Sequence, residues 1–222
     1  MFQTYPNYST YRTLFLTAPA MQGEDVYALQ TALNELNFDA GAVDGVLGRQ
    51  TYAAIRKAQQ EFKISVDGKA GGATQKALAM GIAERVASQV KVPVEAFRGQ
   101  MALESGYRLG IYSPARVDGT YDAGVAQRNT RFTPPKEGFD CQASILALGK
   151  NTREHFDLFV GLEGKRRWAL AQGAWNAPAF ACFLAREEGA TKVTAGMTAR
   201  PWPEARQTFE NYVLQVSVYL TV

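Results

Sequence analysis

The chain has 222 residues, 46% of them apolar and 20% charged, with a net charge of +3. That length allows one large domain or two modest ones, each able to bury its own core, and the composition excludes a disordered, fibrous or low-complexity protein. The longest apolar runs, such as residues 213–222, are broken by polar side chains and fall short of the ~20 residues that a membrane helix needs.

The charge is unevenly placed. Residues 1–80 hold seven basic and seven acidic side chains, leaving seventeen basic and fourteen acidic in the rest. The mild cationic excess of the C-terminal part suits an anionic polymer and is too weak to imply nucleic acid. The stretch from Met1 to Arg12 has aromatic and polar residues but no basic start followed by an apolar core, so no cleavable secretion signal and accumulation in the cytoplasm are expected. In that compartment Cys141 and Cys182 are expected to be free thiols.

Along the chain, the apolar spacing of Val26, Leu29, Leu33 and Leu36 predicts a first helix, and Tyr52, Ile55, Ala58, Gln59 and Phe62 predict a second. A turn motif, D-G-x-x-G-x-x-T, occurs twice, as Asp44-Gly45-Val46-Leu47-Gly48-Arg49-Gln50-Thr51 and as Asp67-Gly68-Lys69-Ala70-Gly71-Gly72-Ala73-Thr74. Asp-Gly supplies a tight turn with positive φ, and Thr51 or Thr74 then sits at or near a helix start. Each turn should launch a helix, the third being short, from Thr74 to Met80. A compact three-helix module over residues 13–80 follows, with Gly81 as its seam.

Gly23-Glu24-Asp25-Val26, Leu29-Gln30, Leu33-Asn34, both D-G-x-x-G-x-x-T turns and Gln59 before Phe62 together resemble the peptidoglycan-binding domain of many wall hydrolases. The resemblance covers nearly the whole module. It implies binding of the wall polymer through a shallow groove between helices and turns.

Beyond Gly81 a helical stretch, Ile82–Val90, precedes Pro93, which suits the first turn of another helix reaching about Ser105. Val94, Phe97 and Met101 share one face of it. At ~100° per residue Glu104 falls within roughly 20° of Phe97, so the apolar stripe ends in a carboxylate. Lost hydration and the negative end of the helix dipole both raise the pKa of such a group, as an acid that donates to a glycosidic oxygen requires.

Glu104-Ser105-Gly106-Tyr107 is followed by Ser113-Pro114-Ala115, the turn-rich Asp118-Gly119-Thr120-Tyr121-Asp122, and Gly124-Val125-Ala126-Gln127. Trp168-Ala169-Leu170-Ala171-Gln172-Gly173-Ala174-Trp175-Asn176 and Tyr212-Val213 come later. This order resembles the soluble lytic transglycosylase and goose-type lysozyme family, with its E-S-G, G-L-M-Q, A-L-A-A-Y-N and terminal Y-V motifs. The resemblance implies a mainly α fold: an α+β lysozyme-like catalytic domain with a small β-hairpin over residues 81–222, beside a small three-helix module within residues 1–80. It makes Glu104 the general acid and then base and Ser105 its neighbour. It places Gln127 on a hairpin strand forming one cleft wall, Trp175 and Asn176 in the sugar groove, and Tyr212 close to the catalytic carboxyl. The sequence departs from the family where Trp replaces the motif tyrosine, Val-Ala replaces Leu-Met, and Pro178 stands where glycine is usual. Trp168, at helical spacing from Trp175, is read as core; a helix-terminating role for Ser105 and a bond to hairpin backbone for Gln127 remain the alternative readings.

Other chemistries fit less well. A zinc amidase or peptidase needs a cluster of ligands, whereas the chain has one histidine, His155, read as a surface or groove residue. Cys141 and His155 fall at different positions along one helix-like stretch, unsuited to a Cys-His pair. No metal or cofactor is expected. Two reactions remain open: transglycosylation, in which the muramic acid 6-hydroxyl attacks, and hydrolysis, for which Asp118 or Asp122 would be the second carboxylate. Asp118 is comparable in place to a lysozyme aspartate, while Asn129 stands where another would be. A rival from another class is a non-catalytic wall-binding virion protein on the same fold. The architecture resembles modular phage endolysins, which implies a monomer held in the host cytoplasm until the inner membrane is opened, with peptidoglycan as its partner.

Overall fold

Two buried glutamines organise the N-terminal helices. The computed structural model describes residues 12–199 and 203–221; the stretch read above for a secretion signal lies, up to residue 11, outside them. Helices α1 (Glu24–Glu35), α2 (Arg49–Glu61) and α3 (Gly72–Val90) are each separated by one of the repeated turns. A buried amide must satisfy both its N–H groups and its carbonyl, and each glutamine does so by clasping the turn that follows its helix. Gln30 Nε2 donates to the Asp44 carboxylate at 2.9 Å, the Val46 carbonyl at 3.1 Å and the Thr51 hydroxyl at 3.2 Å, while its Oε1 accepts from the Gly45 N–H at 2.8 Å. Gln59 repeats the pattern on Asp67 at 2.8 Å, Lys69 at 3.0 Å and Thr74 at 3.0 Å, and accepts from the Gly68 N–H at 2.9 Å.

These bonds hold both carboxyls below their ordinary values, Asp44 through Gln30 and then the Val46 N–H, Asp67 through the Lys69 N–H and then Gln59. The stabilisation is therefore present above the usual carboxylate range and is lost as pH falls through the lowered values. The apolar stripes lie where the spacing puts them: Val26, Leu29, Leu33 and Leu36 are buried from α1, Ile55 and Ala58 from α2. Tyr52 and Phe62 are half-buried.

The third helix is longer than its sequence suggests. Instead of stopping at Met80, α3 runs through Gly81 to Val90, absorbing the separate helical stretch expected there. A glycine costs a helix interior only about 1 kcal/mol, which burial of Leu78, Ala79, Ile82 and Ala83 along the same helix outweighs. Gly81 also has a packing reason, since a Cβ there would lie 3.2 Å from Phe62 and 3.3 Å from Leu36.

Helix α4 (Val94–Glu104) starts directly after Pro93 and buries Phe97 and Met101, as its periodicity predicts. A two-stranded antiparallel hairpin follows, β1 (Asp122–Ala123) and β2 (Arg128–Asn129), with Asp122 opposite Asn129. Then come α5 (Pro135–Phe139), α6 (Cys141–Leu158), α7 (Gly164–Gly173), α8 (Pro178–Glu187), a short 3-10 turn (Ala195–Met197) and α9 (Pro203–Ser217). The fold is mainly α, as expected, with the hairpin its only sheet among the described residues.

The chain divides into two compact units, one of Met1–Arg85 with Glu104–Ile145, the other of Val86–Leu103 with Leu146–Val222. In the second, Gln172 Nε2 donates to the Ala96 carbonyl at 2.7 Å and Gln100 Nε2 to the Gln172 carbonyl at 3.1 Å, all buried. Gly173 lets α7 meet α9, where a Cβ would lie 2.7 Å from Phe209. In the first, the three N-terminal helices pack with the segment that follows Glu104. Gly110 sits so tightly on Asp25, at the start of α1, that any side chain would overlap its backbone.

Replacing Gln59 by leucine removes its four hydrogen bonds and leaves the Gly68 N–H without its acceptor, so unfolding in urea should show a loss of about 2–4 kcal/mol. The exposed neighbour Gln60→Ala should stay within about 0.5 kcal/mol of the parent.

Candidate functional site

Glu104 is the last residue of α4 and is half-buried. Its setting in the first unit is fixed by the residues after it. Ser105 is buried and its hydroxyl donates to the Val125 carbonyl at 2.8 Å, tying the end of the helix to the hairpin turn. Gly106 and Tyr107 both have positive φ, 58° and 64°, so the chain reverses immediately beyond the carboxylate. The E-S-G sequence thus combines an acid, a clasp and a residue free to take the left-handed conformation.

The clasped turn is Gly124-Val125-Ala126-Gln127. It was expected as a strand, but it is the connection between β1 and β2. The reason is local: Gly124 and Gln127 have φ of 75° and 49°, and Gly124 presses against the Gly138 carbonyl where no side chain fits. Gln127 Nε2 donates to the Gly124 carbonyl at 2.9 Å, bonding the hairpin backbone.

The two aspartates considered as second carboxylates have other partners. Asp118 accepts from the Thr120 hydroxyl at 2.7 Å and the Thr120 N–H at 3.0 Å, an Asx-type turn on an exposed loop. Those bonds, the hydroxyl first, hold its carboxyl below the usual value, so it is ionised at neutral pH. Asp122 pairs with Arg116 at 2.6 Å and accepts from Asn129 Nδ2 at 2.9 Å, locking the two strands together. Asn129 is therefore part of the hairpin's own bonding.

The remaining candidates belong to the second unit. Trp175 is half-buried and Asn176 exposed, both in the turn after α7, and Tyr212 is half-buried on α9. Trp168 is core, as expected: it is buried and stacked on Phe156 at 3.7 Å between ring centroids, with the Arg167 guanidinium 3.9 Å from the Phe156 ring. His155 is half-buried, its Nδ1 2.9 Å from the Asn151 carbonyl and its ring edge-on to Phe159. Cys141 and Cys182 are buried free thiols, and burial pushes both upward from the ordinary thiol pKa. Among the described residues no three His, Cys or carboxylate side chains gather as metal ligands would, and no helix is long and apolar enough to cross a membrane.

Residues 22–78 match a family model described as "Putative peptidoglycan binding domain". That stretch is bounded by Gln22, just ahead of α1, and Leu78, midway along α3, and contains both glutamine clasps. The chain is 48% identical over 56 residues to a spore cortex-lytic enzyme of Bacillus cereus, covering 25% of this chain and 22% of that protein. It is 49% identical over 53 residues to a spore cortex-lytic enzyme of Oceanobacillus iheyensis, covering 24% and 19% of the two chains. A third relative is the N-acetylmuramoyl-L-alanine amidase CwlM of Mycobacterium tuberculosis, 41% identical over 69 residues and covering 30% and 17%. The chain spans about a fifth of the length of the curated relatives it matches.

Residues that the sequence did not single out also shape the site. Gly110 and Gln75 contact partners distant in the chain, and nothing in their local pattern marks them. By contrast, the lowered pKa of Asp118 comes first from a sequence neighbour, Thr120, with Arg131 and Arg116 adding to it. Replacing Thr120 by valine should raise the Asp118 midpoint back toward 3.8, its ordinary value, in a carbon-detected NMR titration; an unmoved midpoint would contradict the assignment of that turn.

Proposed function

We propose that this chain is a modular cell-wall enzyme in which residues 1–80, with their core at 13–80, hold peptidoglycan and residues 81–222 cut its glycan strands. The observation that carries the reading is the placement of Glu104, half-buried at the end of α4 and clasped through Ser105 to the hairpin. It lies in the same compact unit as the stretch matching a peptidoglycan-binding model. The names of the relatives, cortex-lytic enzymes and an amidase, support a wall substrate. The motif order around Glu104 supports the glycan bond rather than an amide bond.

In the proposed reaction the Glu104 carboxyl gives its proton to the oxygen of the MurNAc–GlcNAc β-1,4 bond as that bond breaks. The resulting carboxylate takes the proton of the muramic acid 6-hydroxyl as that oxygen attacks C1, leaving a 1,6-anhydro end and restoring the acid. No water is consumed and a single carboxyl serves both steps. The bonding of Asp118 and Asp122 favours this over hydrolysis, because each already serves as a turn or strand anchor. Ser105 and Gln127 act by holding the hairpin, while Trp175, Asn176 and Tyr212 are proposed as sugar contacts from the motif match. As in phage endolysins, the enzyme would act as a monomer, stored in the host cytoplasm and released to the wall once the inner membrane is opened.

Glu104→Gln should melt within a few degrees of the parent and clear no purified peptidoglycan, since the amide keeps the shape and has no proton to give. Mass analysis of an unreduced digest should find muropeptide ends one water lighter than hydrolytic ends. Asp118→Asn and Asp122→Asn should each keep activity within about tenfold, or ~1.4 kcal/mol in barrier. Reducing muramic acid ends together with a folded but inactive aspartate variant would establish a two-carboxylate hydrolase. Lysis by folded Glu104→Gln would end the assignment altogether.

A further inference from the structure

We infer that Gln75 is a positioning residue for the catalytic carboxyl, so that the N-terminal helices set the geometry of the segment carrying Glu104 as well as holding the wall. This rests on the reading above that Glu104 is the catalytic acid.

Gln75 lies in the first turn of α3 and is 5% exposed. Its Nε2 donates to the Ala70 carbonyl at 3.1 Å, and its Oε1 accepts the Leu109 N–H at 3.0 Å. One amide therefore joins the second repeated turn to the chain five residues beyond Glu104. The donor and acceptor ends are not interchangeable, because the Ala70 carbonyl can only accept and the Leu109 N–H can only donate. Leu109 is itself 2% exposed, so its N–H has no access to water as a substitute partner.

Two neighbouring contacts make the attachment rigid. Lys76 places its ammonium 5.0 Å from the centre of the Tyr107 ring. Gly110 lies flat on the Asp25 backbone, and Asp25 is fixed by a two-point pair with Arg12 at 2.6 and 2.8 Å. Within six residues after Glu104 the chain is thus held by α3 at Tyr107 and Leu109 and by α1 at Gly110, while Ser105 fixes the near end to the hairpin. Backbone with positive φ at Gly106 and Tyr107 would otherwise allow the reversal to relax. Misplacement of a reacting group by an ångström can cost about a hundredfold in rate, so the bond that anchors the chain five residues past Glu104 controls turnover.

The test compares two buried glutamines of the same helical module in the full chain. Gln75→Met keeps volume and removes both hydrogen bonds; Gln59→Met removes the four bonds of a clasp that makes none directly to the Glu104 segment. On soluble glycan strands, Gln75→Met should lower kcat roughly 10- to 100-fold with KM within about twofold. Gln75→Glu, whose carboxyl when protonated can accept from Leu109 and donate to Ala70, should recover most of that loss on the acid side of the pH range and less of it once ionised. Gln59→Met should melt earlier yet keep kcat while folded. Leu109 amide exchange, followed by NMR, should accelerate in Gln75→Met by more than the loss of global stability accounts for, and in Gln59→Met only in step with that loss. Unchanged kcat in folded Gln75→Met, or an equal loss in Gln59→Met, would overturn the positioning role. If the parent chain itself releases no soluble fragments, the glycan-cleaving reading falls, and Leu109 exchange unaffected by Gln75→Met would then overturn the attachment separately.

Discussion

The need to satisfy a buried amide governs the first unit of this protein. Gln59 sits 1% exposed, and its carbonyl and amino group find partners only if the Asp67–Thr74 turn closes around it. That closure orients the Ala70 carbonyl, which receives Gln75, and Gln75 in turn holds Leu109. A line of hydrogen bonds therefore runs from a structural turn to the residues next to Glu104. Gln30 does the same for the first turn, whose Val46 pairs with Gln22 just ahead of α1. Each step is worth only about 1 kcal/mol net, yet leaving any one buried group unpaired costs more, which makes the arrangement cooperative.

Much of the fold was legible because the signals were local. Asp-Gly turns, the 3.6-residue stripes of α1 and α2, and Pro93 ahead of α4 each report on a few consecutive residues, and each element formed where these placed it. The glutamine clasps were harder to see: Gln30 lies 21 residues from Thr51 while Gln59 lies 15 from Thr74, because the loops between the helices differ in length. The length of α3 was missed because Gly81 reads as a break, whereas a glycine under Phe62 and Leu36 is a packing device. Gly124-Val125-Ala126-Gln127 reads as a strand by analogy, but two residues with positive φ make it a turn.

The candidate site divides in the same way. Glu104 was marked by an apolar stripe ending in a carboxylate, and Ser105 and Gln127 by their motifs; the bonds of the latter two to hairpin backbone then explain why those residue types occur there. A turn aspartate and a water-activating aspartate look alike in sequence, and only the structure shows Thr120 bonded to Asp118 and Arg116 and Asn129 bonded to Asp122. Gln75 and Leu109, 34 residues apart, had no local signal to offer. A three-helix fold matching a peptidoglycan-binding model is usually pictured as a tether that raises local concentration. Here it also supports the chain on the far side of the carboxylate.

Residues 12–85 and the Glu104–Ile145 segment belong to one compact unit and should open cooperatively. Hydrogen exchange of Gln59→Leu, followed by mass spectrometry on the full chain, tests it most directly. Loosening the second turn should raise exchange at residues 107–112 in step with α2 and α3, because they share one opening event. Faster exchange confined to residues 12–80, with 107–112 as protected as in the parent, would show that the two segments open independently and would contradict the account.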